Sequence, residues 1–333
     1  MTTATILPEL GQCPTALDTE AALIREVENG LARSPRSLAP WMFYDAWGSC
    51  LFERITTLPE YYPSRIEREI LVRFAEEIVA RVRPDRSQTL RVFELGAGTS
   101  AKTGILLEAA MRCHGRVTYA PCDISREALN QACTSIKSLQ PSVQLQPIVG
   151  NYVTHPPRLA RAAGTTLALY IGTSIGNFSP QAARTILCNL RSQMHSGDAL
   201  LLGTDMVKDE EILLAAYDDE EGVTAEFNLN LLRRLNRELH ADFDSAGFRH
   251  RVRWNRAESR IEMHLESLRE QYVRIPAAKL HLHFAQGETI HTENSYKFTQ
   301  NALRALLDDA GFKIEQLWQD PLEWYALTLA STQ

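Results

Sequence analysis

The stretch Val92 to Gly104, VFELGAGTSAKTG, decides the fold. Apolar residues around one acid, Glu94, run into Gly96-Ala97-Gly98 and then into a helix-favouring segment. That is how a buried strand passes to a helix through a glycine loop that cradles a ligand. Two kinds of ligand suit such a loop. A dinucleotide pyrophosphate would want bare backbone N–H groups, whereas a ligand with its own positive charge would want an anion close by.

Outward from this loop the sequence alternates short buried strands with helices. RVFEL is followed by a helix to about Cys113, VTYAPCD by a helix from Ser125, then VQLQPIVG, LALYIG, a helix from Ser179 and ALLLGTD. The alternation predicts a parallel sheet with right-handed crossovers and a ligand site at the carboxyl ends of its strands. Upstream, the first dozen residues read as a tail, and a helical pattern runs from Thr19 to Arg33 until SPRSLAPW breaks it. A short helix, a Leu58-Pro59 turn and a long amphipathic helix from near Ser64 follow. Between Val207 and Glu293 the rhythm changes. A helix over Thr224–Leu239 precedes RHRVRW, RIEMHLES, QYVRI and KLHLHFA, strands in a row that predict antiparallel pairing in an inserted lobe. QNALRALLDDAGF then reads as a helix, and KIEQLWQD and WYALTLAS as a closing antiparallel hairpin of the kind used by S-adenosylmethionine (SAM) methyltransferases. The expected fold class is α/β, a Rossmann-like sheet with that terminal hairpin plus an α+β lobe.

The neighbours of the loop choose between its ligands. GAGTSA satisfies the looser dinucleotide pattern, which alone is a weak signal. Glu94, two residues before Gly96, would sit badly beside a pyrophosphate and well beside the ammonium of SAM. Lys102 lies in the first helical turn, where the dipole disfavours a cation unless an anion is near, and the SAM carboxylate is such an anion. Asp123, after the second strand, can accept from ribose hydroxyls under either reading. The structural alternatives are that Glu94 caps the helix, Lys102 is a surface lysine and Asp123 is a helix N-cap.

With 333 residues, 44% hydrophobic and 23% charged, and a net charge of -6 without basic stripes, the composition is that of a globular protein acting on small molecules rather than on nucleic acid or membranes. Cysteines at 13, 50, 113, 122, 133 and 188 form no C-x-x-C pair, and no charged-then-apolar leader opens the chain. Both point to reduced thiols in a cytoplasm. No apolar run approaches the ~18–20 residues of a spanning helix. His281 and His283 share a strand face but lack a third ligand at metal spacing, so no metal is expected. The run Asp218 to Glu221 reads as a solvated turn.

FELGAGTSAKT, PCDIS, LYIGTSIGNF, LLGTD, LPEYYPSR and AAYDDEEGVTAEFNLNLLRRLNRELHADFD closely resemble the histidine Nα-methyltransferases of ergothioneine biosynthesis, from about Trp41 to Phe298. The resemblance implies a SAM-binding domain (66–206 and 297–333) and a substrate-binding lobe (15–65 and 207–296), with histidine between them. It implies that Gly96, Gly98, Lys102 and Asp123 contact SAM and that Tyr44 lies beside the substrate amine. Tyr61, Asn177 and Tyr217 would surround the substrate carboxylate, Glu293 and Ser295 would hold the imidazole, and Met263 would pack near it. Where the family usually has an acid followed by an aromatic, this chain has Asn151-Tyr152. Asparagine still offers a carbonyl to the adenine amino group, so SAM binding is expected to be weaker or retuned.

Physical chemistry supports the carried-over roles. Asn177 and two tyrosines can donate to a carboxylate. Glu293 and Ser295, two apart on a strand, point to one face and can address both imidazole nitrogens. Such a site leaves buried polar groups unpaired when the side chain lacks those nitrogens. The expected activity is three successive SAM-dependent methyl transfers to L-histidine by a cytoplasmic monomer. The competing expectations are the same chemistry on another aromatic amino acid such as tryptophan, a SAM-binding regulatory module without turnover, and a nicotinamide oxidoreductase.

Overall fold

The computed structural model describes residues 16–82, 89–98, 100–153 and 164–332; Cys13 and Thr99 lie outside them. The chain opens with α1 (Ala16–Leu31), β1 (Arg36–Ser37), α2 (Ala46–Ile55) and α3 (Tyr62–Val82). Next come β2 (Leu90–Leu95), α4 (Ala101–His114), β3 (Val117–Asp123), α5 (Arg126–Leu139), β4 (Gln144–Leu145), β5 (Ile148–Val149), β6 (Thr166–Tyr170), α6 (Pro180–Arg191) and β7 (Ala199–Asp205). The insertion holds α7 (Glu210–Ala215), α8 (Val223–Leu239), β8 (Phe248–Asn255), β9 (Arg260–Ser267), β10 (Gln271–Ile275), β11 (Leu280–Phe284) and β12 (Thr289–Tyr296). The chain then returns through α9 (Gln300–Asp309), β13 (Phe312–Gln319) and β14 (Tyr325–Thr332).

The large sheet has the order β13-β14-β7-β6-β2-β3-β4, with β5 also on β3. β7, β6, β2 and β3 run parallel, and β14 is antiparallel to both β7 and β13. This is the Rossmann-like α/β sheet with the terminal hairpin that the sequence predicts. Strand alternation explains its two covered faces. On β7, Leu200 and Leu202 face α6 and α9 with Phe93, Leu95 and Tyr170, while Leu201 packs with Val92, Leu167 and Leu169 against α3 and α4. Asp320 pins the hairpin turn by accepting from the backbone N–H groups of Leu322 (3.0 Å) and Tyr325 (2.9 Å). After β2 the chain winds to one side, through β3, and then crosses to β6 on the other. The switch point for a ligand therefore lies at the carboxyl ends of β2 and β6.

Two segments differ from the sequence reading. VQLQPIVG is two short strands rather than one, because Pro147 has no N–H to give to β3 and interrupts the ladder after Gln146 donates to Tyr119 O at 2.8 Å. SPRSLAPW, read as a break, contributes β1, which runs parallel to β12 and completes a four-stranded sheet of order β1-β12-β9-β8. Arg36 anchors it, bonding Glu288 at 2.7 Å and lying 4.6 Å over the Phe284 ring. α8 packs on β8 and β9, and α2 packs on α8. The apolar interior of this sheet, with Met263, Leu265 and Phe284, is continuous with that between α3, α4 and the large sheet.

Gly203 on β7 faces Glu67 of α3. A methyl group there would overlap the Glu67 carboxylate and the Tyr325 hydroxyl. Gly203→Ala should therefore cost ~1–3 kcal/mol through overpacking. Urea denaturation of the two proteins measures this, and an unchanged midpoint would contradict the contact.

Candidate active site

The residues expected to hold the cofactor gather at the carboxyl ends of β2, β3 and β5. Gly96 (φ +73°) and Gly98 (φ +49°) turn the loop through the left-handed region. Tyr152 packs against Gly96, whereas a side chain at Gly98 would meet open space, so the loop leaves room above it. Glu94 is buried and accepts from Thr103 at 2.5 Å and from the Tyr119 hydroxyl. Burial pushes its carboxyl up to about 7 against the pull of those donors and of Lys102. Asp123 accepts from the backbone of Ser125 at 2.9 Å and of Gly98, joining the glycine loop to the second strand. It is not the helix cap: Ser125 caps α5 by accepting from Ala128 N at 3.1 Å. Asn151 is exposed and accepts from Val153 N at 3.0 Å, so the oxygen expected to meet adenine already has a backbone donor.

Lys102 shows what the sequence reading missed. Its ammonium is ion-paired with Glu67 on α3, whose side chain is wholly buried. Glu67 also accepts from the Tyr325 hydroxyl and from Gly172 N at 2.8 Å. One carboxylate thus fixes the lysine, β14 and the loop after β6. The signal was present in the helix: Ile66, Glu67, Ile70, Leu71 and Ala75 form its buried stripe, and an acid in such a stripe needs buried partners.

A cavity opens beside Gly172 and Thr173 and brings together six of the predicted substrate residues: Tyr44, Tyr61, Asn177, Tyr217, Met263 and Glu293. They come from six separate places in the sequence. Tyr44 precedes α2, whose cap Asp45 accepts from Gly48 N (2.7 Å) and, from α8, Asn230 (2.9 Å) and Arg237 (2.6 Å). That lock holds the Tyr44 ring edge-on to Phe52 and Phe227, at 5.7 and 5.9 Å. Tyr61 lies edge-on to Tyr217 at 6.1 Å. Met263 and Glu293 are cross-strand partners on β9 and β12. Ser295, also on β12, sits behind the cavity wall and is bonded to the Tyr217 hydroxyl at 2.7 Å. The Asn177 amide, expected at the far end of the substrate, donates to Glu293.

Sequence reasoning did not single out Phe52, Thr224 or Phe227, which also line the cavity. The acidic run before them is not uniformly solvated. Asp219 is buried and accepts from Val223 N and Thr224 N, both at 2.8 Å, so it anchors the start of α8. Among the described residues no cluster of three or more His, Cys, Asp and Glu could hold a metal ion, and no helix is long and apolar enough to cross a membrane.

A glycine loop, an acid on the neighbouring strand and a small polar cavity at the switch point define a SAM-dependent methyltransferase of Rossmann-like fold. The model of the histidine-specific, SAM-dependent methyltransferases matches residues 23–332, and the chain belongs to that family. It is 42% identical over 316 residues to the histidine N-alpha-methyltransferase of Mycolicibacterium smegmatis, covering 95% of this chain and 97% of that one. It is 42% identical over 310 residues to the enzyme of the same name from Mycobacterium tuberculosis, covering 93% and 95%. It is 33% identical over 208 residues to ergothioneine biosynthesis protein 1 of Neurospora crassa, covering 61% of this chain and 23% of that protein.

Glu293 carries a pH test. Burial raises its carboxyl from 4.5 to about 7, while Lys297 and Asn177 hold it down. Between those values the folded chain keeps a proton that the unfolded chain has lost, so this group opposes folding increasingly as pH rises. Glu293→Gln lacks that effect. The Tm of the variant minus that of the wild type should grow from about pH 5 to about pH 8, and a flat difference would contradict a raised, desolvated carboxyl at this position.

Proposed function

We propose that this enzyme methylates the α-nitrogen of L-histidine three times, giving histidine trimethylbetaine for ergothioneine biosynthesis. The observation that carries the reading is the single carboxylate among the cavity's lining residues, Glu293, set among aromatic rings, hydroxyls, the Asn177 amide and apolar side chains such as Ile55 and Met263. Such a cavity suits a small zwitterion with one N–H-bearing ring. The mycobacterial relatives, named as histidine N-alpha-methyltransferases, support histidine as the substrate and its α-nitrogen as the acceptor.

SAM supplies an electrophilic methyl group when bound. The open face at Gly98, the carboxylate of Asp123 and the cation of Lys102 fit such a ligand; Gly96, Glu94, Asn151 and Tyr152 complete its proposed surroundings. In the first two rounds Tyr44 accepts a hydrogen bond from the neutral substrate amine and aims its lone pair, with water taking the released proton; the dimethylated amine of the third round has no N–H left and gives its quaternary product without losing a proton. Tyr61 and Tyr217 donate to the α-carboxylate, and Glu293 accepts from an imidazole N–H. In this reading Asn177 acts on the substrate through Glu293, and Met263 packs beside the ring. Each round needs only alignment of nitrogen and methyl, so positioning dominates and no covalent enzyme intermediate forms. The growing positive charge on nitrogen is met by the face of Tyr44.

The lobe formed by 15–65 and 207–296 would carry the substrate, and the rest of the chain SAM. Free thiols at Cys50, Cys113, Cys122, Cys133 and Cys188 support a cytoplasmic setting, and the enzyme is proposed to act as a monomer. Mass spectrometry of products from SAM with L-histidine and L-tryptophan in parallel tests the reading. Gains of one, two and three methyl groups on histidine alone are expected, and methylation of tryptophan with none on histidine would overturn it. Tyr44→Phe should lower kcat at least tenfold, since it removes an orienting hydrogen bond of ~1.5 kcal/mol. Unchanged turnover would remove Tyr44 from this role.

A further inference from the structure

Behind the cavity lies a buried ionic cluster that the reaction scheme above leaves unused. Asp205, at the end of β7, accepts from Lys208 at 2.5 Å, Lys297 at 2.8 Å and the Tyr62 hydroxyl at 2.8 Å. The Lys297 ammonium is wholly buried and has three acceptors for its three hydrogens: Asp205, the Tyr217 hydroxyl at 2.8 Å and Ser295 Oγ at 2.9 Å. Two lysines face Asp205, with Glu293 near Lys297 and Asp320 near Lys208, and the Lys297 cation is held against the two hydroxyls at the cavity wall.

The hydrogens can be counted. An ammonium only donates, so Tyr217 and Ser295 both accept from Lys297. The two hydroxyls share one further bond of 2.7 Å, which uses one of their two hydrogens. A single hydroxyl hydrogen remains for the cavity, and Tyr217 lines it while Ser295 stands behind. The relay that satisfies every group runs from Ser295 to Tyr217 and from Tyr217 into the cavity.

We propose that Lys297 is a positioning residue for the substrate carboxylate: it turns the Tyr217 hydroxyl into a fixed donor, backed by a buried cation, and commits the Ser295 hydrogen to Tyr217, so that toward the substrate Ser295 can only accept. Tyr217 then offers its hydrogen to an anion without reorienting. Ser295 correspondingly meets the imidazole, if at all, by accepting N–H. This inference rests on the amino-acid reading of the cavity but concerns a residue that touches no substrate atom.

The test pairs a ligand change with a residue change. Binding of L-histidine and of histamine, which lacks the carboxylate, is measured by calorimetry on the full chain saturated with S-adenosylhomocysteine, for the wild type and for Lys297→Met. A hydrogen bond to a charged group, worth ~1.5–3 kcal/mol, corresponds to about a 10- to 100-fold change in affinity. Lys297→Met should therefore weaken histidine by at least about tenfold and histamine by less than about threefold. Equal losses for both ligands, or no loss for histidine, would overturn the proposal. If Lys297→Met does not fold, Tyr217→Phe keeps the cluster and removes the hydroxyl through which it acts. The same selective loss is then expected, and an equal loss for both ligands refutes the role. Failure of wild-type enzyme to bind histidine at all would overturn the substrate reading and this inference together, whereas normal wild-type binding with a flat cycle overturns only the role of Lys297.

Discussion

The buried carboxylate of Glu67 is the interaction on which the site depends. A charge removed from water is tolerated only when its oxygens are fully used, and here they are used by three different parts of the fold. Lys102 brings the first turn of α4, Tyr325 brings β14 and Gly172 brings the loop after β6. The bare Cα of Gly203 lets this carboxylate lie across β7. The cofactor edge and the amino-acid cavity are thereby held together by one side chain that belongs to neither.

A second constraint is the placement of charge around the cavity. The buried Glu94 below the glycine loop and the half-buried Glu293 in the cavity are both acids pushed up to about 7 by desolvation. Each is held back by donors and by a nearby lysine, Lys102 or Lys297. Those lysines make their own ion pairs with Glu67 and Asp205, so each acts on the acid through its field rather than as a direct partner. A zwitterionic cofactor and a zwitterionic amino acid are the ligands such an arrangement accommodates with least electrostatic cost.

What the sequence made legible was local. The glycine loop, the acid ending β3 and the alternation of strands and helices depend on residues within a turn or two of one another, and each stands where periodicity put it. Glu293 and Ser295 share a face of β12 for the same reason, because side chains alternate at period two. The missing parts were long-range. Glu67 and Lys102 are far apart in sequence, as are Asn177 and Glu293, and only the folded sheet makes them neighbours. Asp219 read as solvated because an acidic run hides which of its members turns inward to cap a helix. Likewise β1 has two residues, too few for a pattern, and exists because β12 offers it an edge.

The central claim is that the cavity takes an amino acid with its ring at Glu293 and its carboxylate at Tyr61 and Tyr217. A crystal structure of the enzyme with S-adenosylhomocysteine and L-histidine tests it most directly. The account predicts an imidazole nitrogen within hydrogen-bonding distance of the Glu293 carboxylate, the α-carboxylate on the two tyrosine hydroxyls, and the amine turned to Tyr44 and the sulfur. An imidazole lying at Tyr217 with the carboxylate beside Glu293, or histidine bound outside this cavity, would contradict it.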